Sequence, residues 1–348
     1  MRKNDMTSME RIMAVLRREL PDRVPLVLQS REFGLKYYGA KFEEAYRDPD
    51  LYVQSQLKVI EDFELDAAWD IWCTPAVDEA LGAKMVIPED DPPWIEEPCV
   101  QSPDDLNKLK TVDPWKDGRM PYLLDVVAKL KKAVGPDMPV IAWASPPFRT
   151  ACLIRGNTEL YMDMIDNPSF VKDLLEITTE NCTAYGKALV EAGADIVCTS
   201  NPVANMDCIS LDHFKEFAHP YTKRFFGDIK KAGAKAINFH TCGRWDDRFD
   251  LCCENADILH VDRVEIGEFK KKYGDRIVPQ GNVKAVATLY QGTPEEVRNE
   301  AIACIRDAAP GGGYIFGADC AVARDTPPQH VRILTDTIKE VGIYPELG

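Results

Sequence analysis

The chain has 348 residues, and its 57 acidic against 42 basic side chains give a formal net charge of −15 and a pI near 4.9. Such an acidic surface repels phosphate backbones, which argues against nucleic acid as a partner. No apolar run approaches the roughly 18 residues of a membrane span, and eleven scattered cysteines without a CxxC pair indicate a reduced, cytoplasmic protein without disulfide bonds.

The first third of the chain predicts several distinct elements. Residues 7–10 read as a capping box, which predicts a helix that ends before Pro21. Residues 25–28 form a short apolar strand, and a helical pattern covers residues 43–63. Residues 84–100 are rich in Pro, Asp and Glu, so we expect a hairpin or an excursion over one face.

Eight apolar strands are predicted, and helical segments alternate with them. The strands cover residues 25–28, 67–72, 139–144, 194–198, 236–239, 257–261, 276–279 and 313–316. Strand, helix and strand in this order imply parallel pairing through right-handed crossovers. The fold class predicted is therefore α/β, a (β/α)8 TIM barrel with an N-terminal helical extension, in one domain spanning residues 1–348.

Polar and thiol side chains follow most of these strands at their carboxyl ends, where such barrels build their active sites. They are Cys73, Ser145, Ser200, Asn201, His240, Cys242, Asp262, Gln280, Asn282, Asp319 and Cys320. We expect them to gather at one mouth of the barrel.

A metal site is predicted within this set. His240 and Cys242 are two positions apart at a strand end, so both side chains point to the same face. With Cys320 from the last strand they form a Cys2His set, which is a catalytic zinc pattern with one open position. The alternative is a buried core histidine beside a buried cysteine. Asp262 and Asn282 could orient ligands or substrate, or cap helices.

The remaining histidines and the tryptophans are predicted to have structural places. His213, His219, His260 and His330 are expected at the surface or in helices, without catalytic duty. For Trp69, Trp72 and Trp143, packing in the core is favoured over stacking on an aromatic substrate or another flat ligand.

Several stretches resemble the uroporphyrinogen decarboxylase superfamily. They are Glu10 and Arg11 and residues 21–25, 211–217, 220–221, 280–282, 292–297, 311–316 and 325–328. The resemblance covers nearly the whole chain, and the barrel that it implies agrees with the strand count.

The superfamily holds at least two chemistries, and this chain departs from the decarboxylases at their site. Their arginine pair is represented by Arg31 alone, next to Glu32, and their aspartate position falls on Cys73. No tyrosine lies near Cys152, and Cys320 stands where they have a histidine. A substrate with many carboxylates would lose most of its partners.

His240, Cys242 and Cys320 instead match the zinc pattern of the methylcobamide-dependent methyltransferases in the same superfamily. The resemblance implies a zinc-dependent, corrinoid-linked methyltransferase, with Zn2+ on these residues. Asn282 and Asp262 are cofactor-binding candidates because of their places at strand ends. The methyl group would pass between a corrinoid protein carrying methylcorrinoid (cobalamin) and a small-molecule methyl donor or acceptor. That molecule would be a thiol such as coenzyme M or a methoxy compound.

Two other functions remain open on the sequence. One is a uroporphyrinogen decarboxylase-type carboxy-lyase, and the other is a non-catalytic scaffold that binds zinc or a corrinoid. A homodimer is among the expected assemblies.

Overall fold

The computed structural model describes residues 5–71, 75–89, 91–344 and 347, so predictions for Trp72 and Cys73 lie outside the described residues. The chain divides into two compact units. Unit 1 comprises Met1–Asp70, Lys129–Ile141 and Asp257–Gly348, and unit 2 comprises Ile71–Ala128 and Ala142–Ala256. The single domain predicted for residues 1–348 stays a prediction.

The described residues form helices and strands in the alternation that the sequence predicts. The α-helices are α1 Ser8–Leu16, α2 Arg31–Tyr38, α3 Phe42–Ala45, α4 Pro49–Phe63, α5 Ala76–Ala80, α6 Met120–Val134, α7 Pro147–Arg155, α8 Asn157–Asp166, α9 Pro168–Ala192, α10 Leu211–His213, α11 His219–Lys231, α12 Phe249–Cys252, α13 Ile266–Tyr273, α14 Pro294–Ala308 and α15 Pro328–Val341. The strands are β1 Ala68–Trp69, β2 Lys84–Val86, β3 Trp94–Glu97, β4 Val140–Trp143, β5 Ile196–Ser200, β6 Ala236–Thr241, β7 Ile258–Val261 and β8 Val278–Gln280. Short 3-10 helices cover Pro103–Lys108 and Pro202–Ala204, and π-helical turns cover Phe214–Ala218 and Ala285–Tyr290.

Strands β1 and β4–β8 belong to one parallel sheet of six strands. In unit 1, β7 pairs with β8, and β1 pairs with the start of β4. The predicted strands at residues 25–28 and 313–316 are present only as isolated parallel bridges, Leu26 with Phe316 and Gln280 with Ile315. These two segments therefore add the first and last strand positions of the predicted barrel.

Unit 2 contributes the middle strands and the hairpin. Strand β5 pairs in parallel with β6 along its whole length, and the Ala144 amide after β4 donates to Cys198 in β5. Strands β2 and β3 pair antiparallel, which confirms the hairpin predicted within residues 84–100.

Local hydrogen bonds explain where the first helices begin. The capping box predicted at residues 7–10 is confirmed at the start of α1. The Thr7 side chain accepts a hydrogen bond from the Glu10 backbone amide, and the Glu10 side chain accepts one from the Thr7 backbone amide. The single helical stretch predicted over residues 43–63 is wrong. It divides into α3 and α4, because Asp48 caps the amides of Asp50 and Leu51 and Pro49 begins a new helix.

A buried ion network joins the N-terminal helix α1 to the rest of unit 1. The Asp66 carboxylate is fully buried and lies 2.6 Å from Arg11 and 2.7 Å from Arg23, and it also accepts the Leu26 amide. Arg11 reaches Asp22 at 2.7 Å as well. The network fixes the N-terminal helical extension against the first strand position. Within the described ranges, no helix is both long enough and apolar enough to cross a membrane.

Candidate functional site

His240 and Cys242 stand at the carboxyl end of β6. All six residues of β6 are buried, and His240 is registered opposite Ser200 in β5. His240 is 2% exposed, whereas Cys242 is half-buried. His240 therefore lies inside the strand and Cys242 follows directly after its last residue, while the prediction that both side chains point to the same face stays a prediction.

The backbone around Cys242 is held by its neighbours in unit 2. The Cys242 carbonyl accepts hydrogen bonds from Asn205 Nδ2 at 3.3 Å and from Trp245 Nε1 at 3.0 Å. Gly243 has φ 92°, and a Cβ there would meet Asn205 Nδ2 at 2.5 Å. Only glycine allows this turn with Asn205 in place.

Cys320 lies in unit 1, just after a short parallel bridge between Val283 and Ala318. The Asp319 amide donates to the Val283 carbonyl at 2.8 Å, and Asp319 Oδ1 accepts the Ala285 amide at 2.9 Å. Burial raises the pKa of Asp319 to about 6, although the Ala285 amide opposes the shift. Cys320 itself is half-buried.

The ligand atoms of His240, Cys242 and Cys320 lie within 4.8 Å of one another. Tetrahedral zinc with bonds of about 2.0–2.3 Å holds such nitrogen and sulfur atoms roughly 3.5–3.8 Å apart. The three side chains therefore fit a zinc ion after small movements. The donor set, one imidazole and two thiols, also has the softness that zinc prefers over magnesium or calcium.

Asn282 and Asp262 are close to each other in unit 1, and the Asn282 side-chain amide is hydrogen-bonded to backbone carbonyls. Asn282 Nδ2 donates to the carbonyls of Asp262 at 3.2 Å and Val264 at 2.8 Å, and its Oδ1 faces the Cys304 thiol at 3.8 Å. Lys284 Nζ donates to the same Asp262 carbonyl at 3.1 Å. Asn282 therefore holds the loop after β7, and a direct role for either residue toward a cofactor stays a prediction.

The other predicted mouth residues are mostly buried within their own units. Ser145 accepts a hydrogen bond from Thr150 at 3.0 Å. Trp69 and Trp143 are 1% and 2% exposed, as their assignment to the core predicts, and the Arg149 guanidinium lies 5.5 Å from the Trp143 ring centroid.

The prediction for His260 is wrong. It was expected at the surface or in a helix, but it is 1% exposed on β7 and is hydrogen-bonded through both ring nitrogens. The signal was present in the sequence, because His260 lies two positions before Asp262 in a predicted strand. Its partners, Gln29 and Ala318, are distant in the chain, and periodicity alone does not reveal them.

Comparison with known proteins decides the family. A family model described as uroporphyrinogen decarboxylase (URO-D) matches residues 7–341. This chain belongs to the uroporphyrinogen decarboxylase family. The superfamily resemblance predicted from the motifs is thereby confirmed, and so is the assignment to a family of enzymes.

Relatives of both chemistries align along most of this URO-D family chain. Uroporphyrinogen decarboxylase of Neisseria meningitidis serogroup A is 27% identical over 316 residues, covering 87% of this chain and 86% of that protein. Methylcobamide:CoM methyltransferase MtaA of Methanosarcina barkeri is 26% identical over 343 residues, covering 95% of this chain and 97% of that protein. Sequence identity therefore does not separate the two activities.

A solved structure confirms the fold class. A methyltransferase from Methanosarcina mazei superposes with a TM-score of 0.88 at 24% identity, covering 97% of this chain and 99% of the other. This match, the parallel sheet and the strand positions given above together establish the (β/α)8 TIM-barrel class for this chain.

Proposed function

We propose that this chain is a zinc-dependent, corrinoid-linked methyltransferase. It moves a methyl group between a corrinoid protein and a small substrate, either a thiol such as coenzyme M or a methoxy compound. The observation that carries the proposal is the grouping of His240, Cys242 and Cys320, whose ligand atoms lie within 4.8 Å. The methylcobamide:CoM methyltransferase relative, matched over 95% of this chain, supports the same reading.

The chain's own residues account for the chemistry that methyl transfer needs. As ligands, Cys242 and Cys320 would neutralise the charge of a divalent ion, which would leave a substrate thiol beside it nucleophilic. Zinc bound at this site would lower the pKa of a substrate thiol or polarise a methyl ether oxygen. His240, buried in β6, and Cys242, held through its carbonyl, provide two ligands on one rigid strand end.

Transfer to a thiol is a displacement at the methyl carbon. The carbon–sulfur bond forms as the carbon–cobalt bond breaks, the electron pair of that bond stays on the cobalt of the partner protein, and the thiol proton is released. In the methoxy reaction the carbon–oxygen bond breaks as a carbon–cobalt bond forms with an electron pair from the reduced corrinoid of the partner protein, and the oxygen leaves as an alkoxide or phenolate that takes up a proton. Both directions place the small substrate at the same three side chains, so the grouping does not choose between them.

Metal analysis of the purified protein tests the site first. We expect about one zinc per wild-type chain, and less in Cys242→Ala and Cys320→Ala. Cys208→Ala is the matched control, because Cys208 is exposed and outside the grouping. Wild-type protein without zinc, or equal zinc in all four proteins, contradicts the site.

Activity assays then separate the functions. Methylated cobalamin with coenzyme M, and methoxy compounds with reduced cobalamin, test methyl transfer in each direction. The decarboxylase relative, 27% identical over 87% of this chain, keeps that activity as a second candidate. Incubation with uroporphyrinogen tests it, and carboxylate loss without zinc dependence would overturn the methyltransferase proposal.

A scaffold with structural zinc is distinguished by chelation. If the zinc is structural, its removal should unfold the protein, because metal-binding free energy is then folding free energy. For a catalytic site we expect chelation to abolish methyl transfer while the circular dichroism spectrum remains that of the folded protein.

A further inference from the structure

His260 is the centre of a buried polar chain in unit 1. Its Nε2 lies 2.8 Å from the Ala318 carbonyl, and its Nδ1 lies 3.1 Å from Gln29 Nε2. His260 and Gln29 are each 1% exposed, and Ala318 is 2% exposed. Buried groups of this kind are costly to leave without hydrogen bonds, so both contacts contribute to holding the ring in place.

The partners indicate which ring nitrogen donates and which accepts. A carbonyl can only accept, so His260 Nε2 carries the hydrogen that Ala318 receives. The Gln29 Oε1 atom accepts from Arg31 Nη2 at 3.3 Å, which turns the Gln29 amide nitrogen toward His260. Gln29 Nε2 is therefore placed to donate to His260 Nδ1, and His260 Nε2 to donate to the Ala318 carbonyl.

The same two residues hold the segment that carries Cys320 at both of its ends. His260 binds the carbonyl of Ala318, two residues before Cys320. The Gln29 backbone carbonyl accepts the amide of Val322, two residues after Cys320, at 3.0 Å. Cys320 thus lies midway along a five-residue segment whose ends are fixed by one histidine and one glutamine.

Gly281 lies beside the contact between His260 and this segment. A Cβ at Gly281, whose φ is 125°, would lie 3.5 Å from the Ala318 carbonyl and 3.8 Å from His260 Cδ2. It would also lie 3.1 Å from the Val261 carbonyl, closer than most side chains tolerate. The positive φ and the close Val261 carbonyl favour glycine at this position.

We infer that Gln29 and His260 are positioning residues for Cys320, which they hold in its place before a metal binds. The inference rests on the proposed function in taking Cys320 as a zinc ligand. Both residues act through the backbone of residues 318–322 and touch no substrate. Residues that orient metal ligands in this way commonly change metal affinity by 10–100-fold when they are replaced.

Three variants test this arrangement, with wild type beside them. His260→Leu removes both hydrogen bonds of the ring. His260→Gln keeps an amide donor at the position of Nε2, so it should restore the bond to Ala318. His330→Leu is the matched control, because His330 is also buried in unit 1 and also bonds a backbone carbonyl, that of Leu289 at 2.9 Å.

The first measurement is zinc affinity, by competition with a chromophoric chelator below the unfolding temperature of each variant. We expect His260→Leu to raise the zinc Kd about 10–100-fold. His260→Gln should recover most of that loss, and His330→Leu should bind zinc as wild type does. Equal affinity in His260→Leu and wild type, or an equal loss in His330→Leu, would overturn the inference.

The second measurement uses metal-free protein. Iodoacetamide labelling of Cys320 is followed by peptide mass spectrometry, and the exposed Cys208 is the reference in the same molecule. We expect Cys320 to label several-fold faster in His260→Leu than in wild type, relative to Cys208. Unchanged relative labelling would contradict the inference. This test does not require bound zinc, so a wild-type protein that binds no zinc would contradict the proposed function alone.

Gln29→Met covers the case in which His260→Leu fails to fold. This change removes the donor to His260 but leaves the Gln29 backbone carbonyl that holds Val322. We expect a smaller rise in both zinc Kd and Cys320 labelling than His260→Leu should give. Wild-type values for both measurements in Gln29→Met would overturn its part in positioning Cys320.

Discussion

Asp78 predicts an unusual dependence of stability on pH. Its carboxyl lies in α5, is fully buried, and accepts no hydrogen bond from any other described residue on either oxygen. Burial raises the pKa of Asp78 to about 8, against the opposing effects of its own amide and of the Arg149 charge. At neutral pH the folded protein therefore keeps this carboxyl protonated.

The sign and size of the effect follow from linkage. An unfolded aspartate has a pKa of about 3.9, so above that pH the unfolded chain releases the proton while the folded chain retains it. The free energy of unfolding then falls by about 1.4 kcal/mol per pH unit until the folded pKa near 8. Between pH 5 and 7 Asp78 alone removes about 3 kcal/mol, a loss that Asp78→Asn abolishes.

Urea unfolding at pH 5, 6 and 7 measures this difference. The stability of Asp78→Asn relative to wild type should rise by about 3 kcal/mol over that range. Any cost of burying the amide is independent of pH, so it shifts the curve without changing its slope. Asp336→Asn, the same change at an exposed site, should run parallel to wild type. Parallel curves for Asp78→Asn and wild type would refute the reasoning.

Two further changes test the packing of unit 1 by the same urea assay. Asp66→Asn removes a buried charge that faces Arg11 and Arg23, and should lower the free energy of unfolding by about 3 kcal/mol. Lys270→Met should lower it by about 2 kcal/mol, because Lys270 Nζ donates to three backbone carbonyls within residues 308–312.

Glu19→Gln is the control for Asp66→Asn, because it removes one partner of an exposed ion pair with Arg17. An equal effect in the two variants would show that burial of Asp66 does not matter. If Lys270→Met is as stable as wild type, the three backbone carbonyls within residues 308–312 have other hydrogen-bond partners when the lysine is absent.

The candidate site was predictable in part. The alternation of strand side chains predicts that His240 and Cys242 share one face, and His240 lies in β6 opposite Ser200. The positions of Asn282 and Asp262 at strand ends were also predictable from the order of strands. Their use was not, because the Asn282 amide bonds two backbone carbonyls that no pattern in the sequence indicates.

The sequence by itself determined what depends on near neighbours and on inherited motifs. It predicts the capping box at the start of α1, the hairpin of β2 and β3, the order of strands and helices, and the family. Each of these depends on residues a few positions apart, or on a pattern repeated along the chain. Side-chain alternation and helix capping depend on neighbouring residues, so strands and helix starts can be predicted without knowledge of the tertiary packing.

Only the tertiary structure decided which distant groups meet. His260 bonds Gln29, 231 positions away, and Ala318, 58 positions away. The thiol of Cys320 lies within 4.8 Å of the ligand atoms of His240 and Cys242. Such contacts depend on how strands far apart in the chain are brought together by burial of the core, and side-chain periodicity carries no information about that distance.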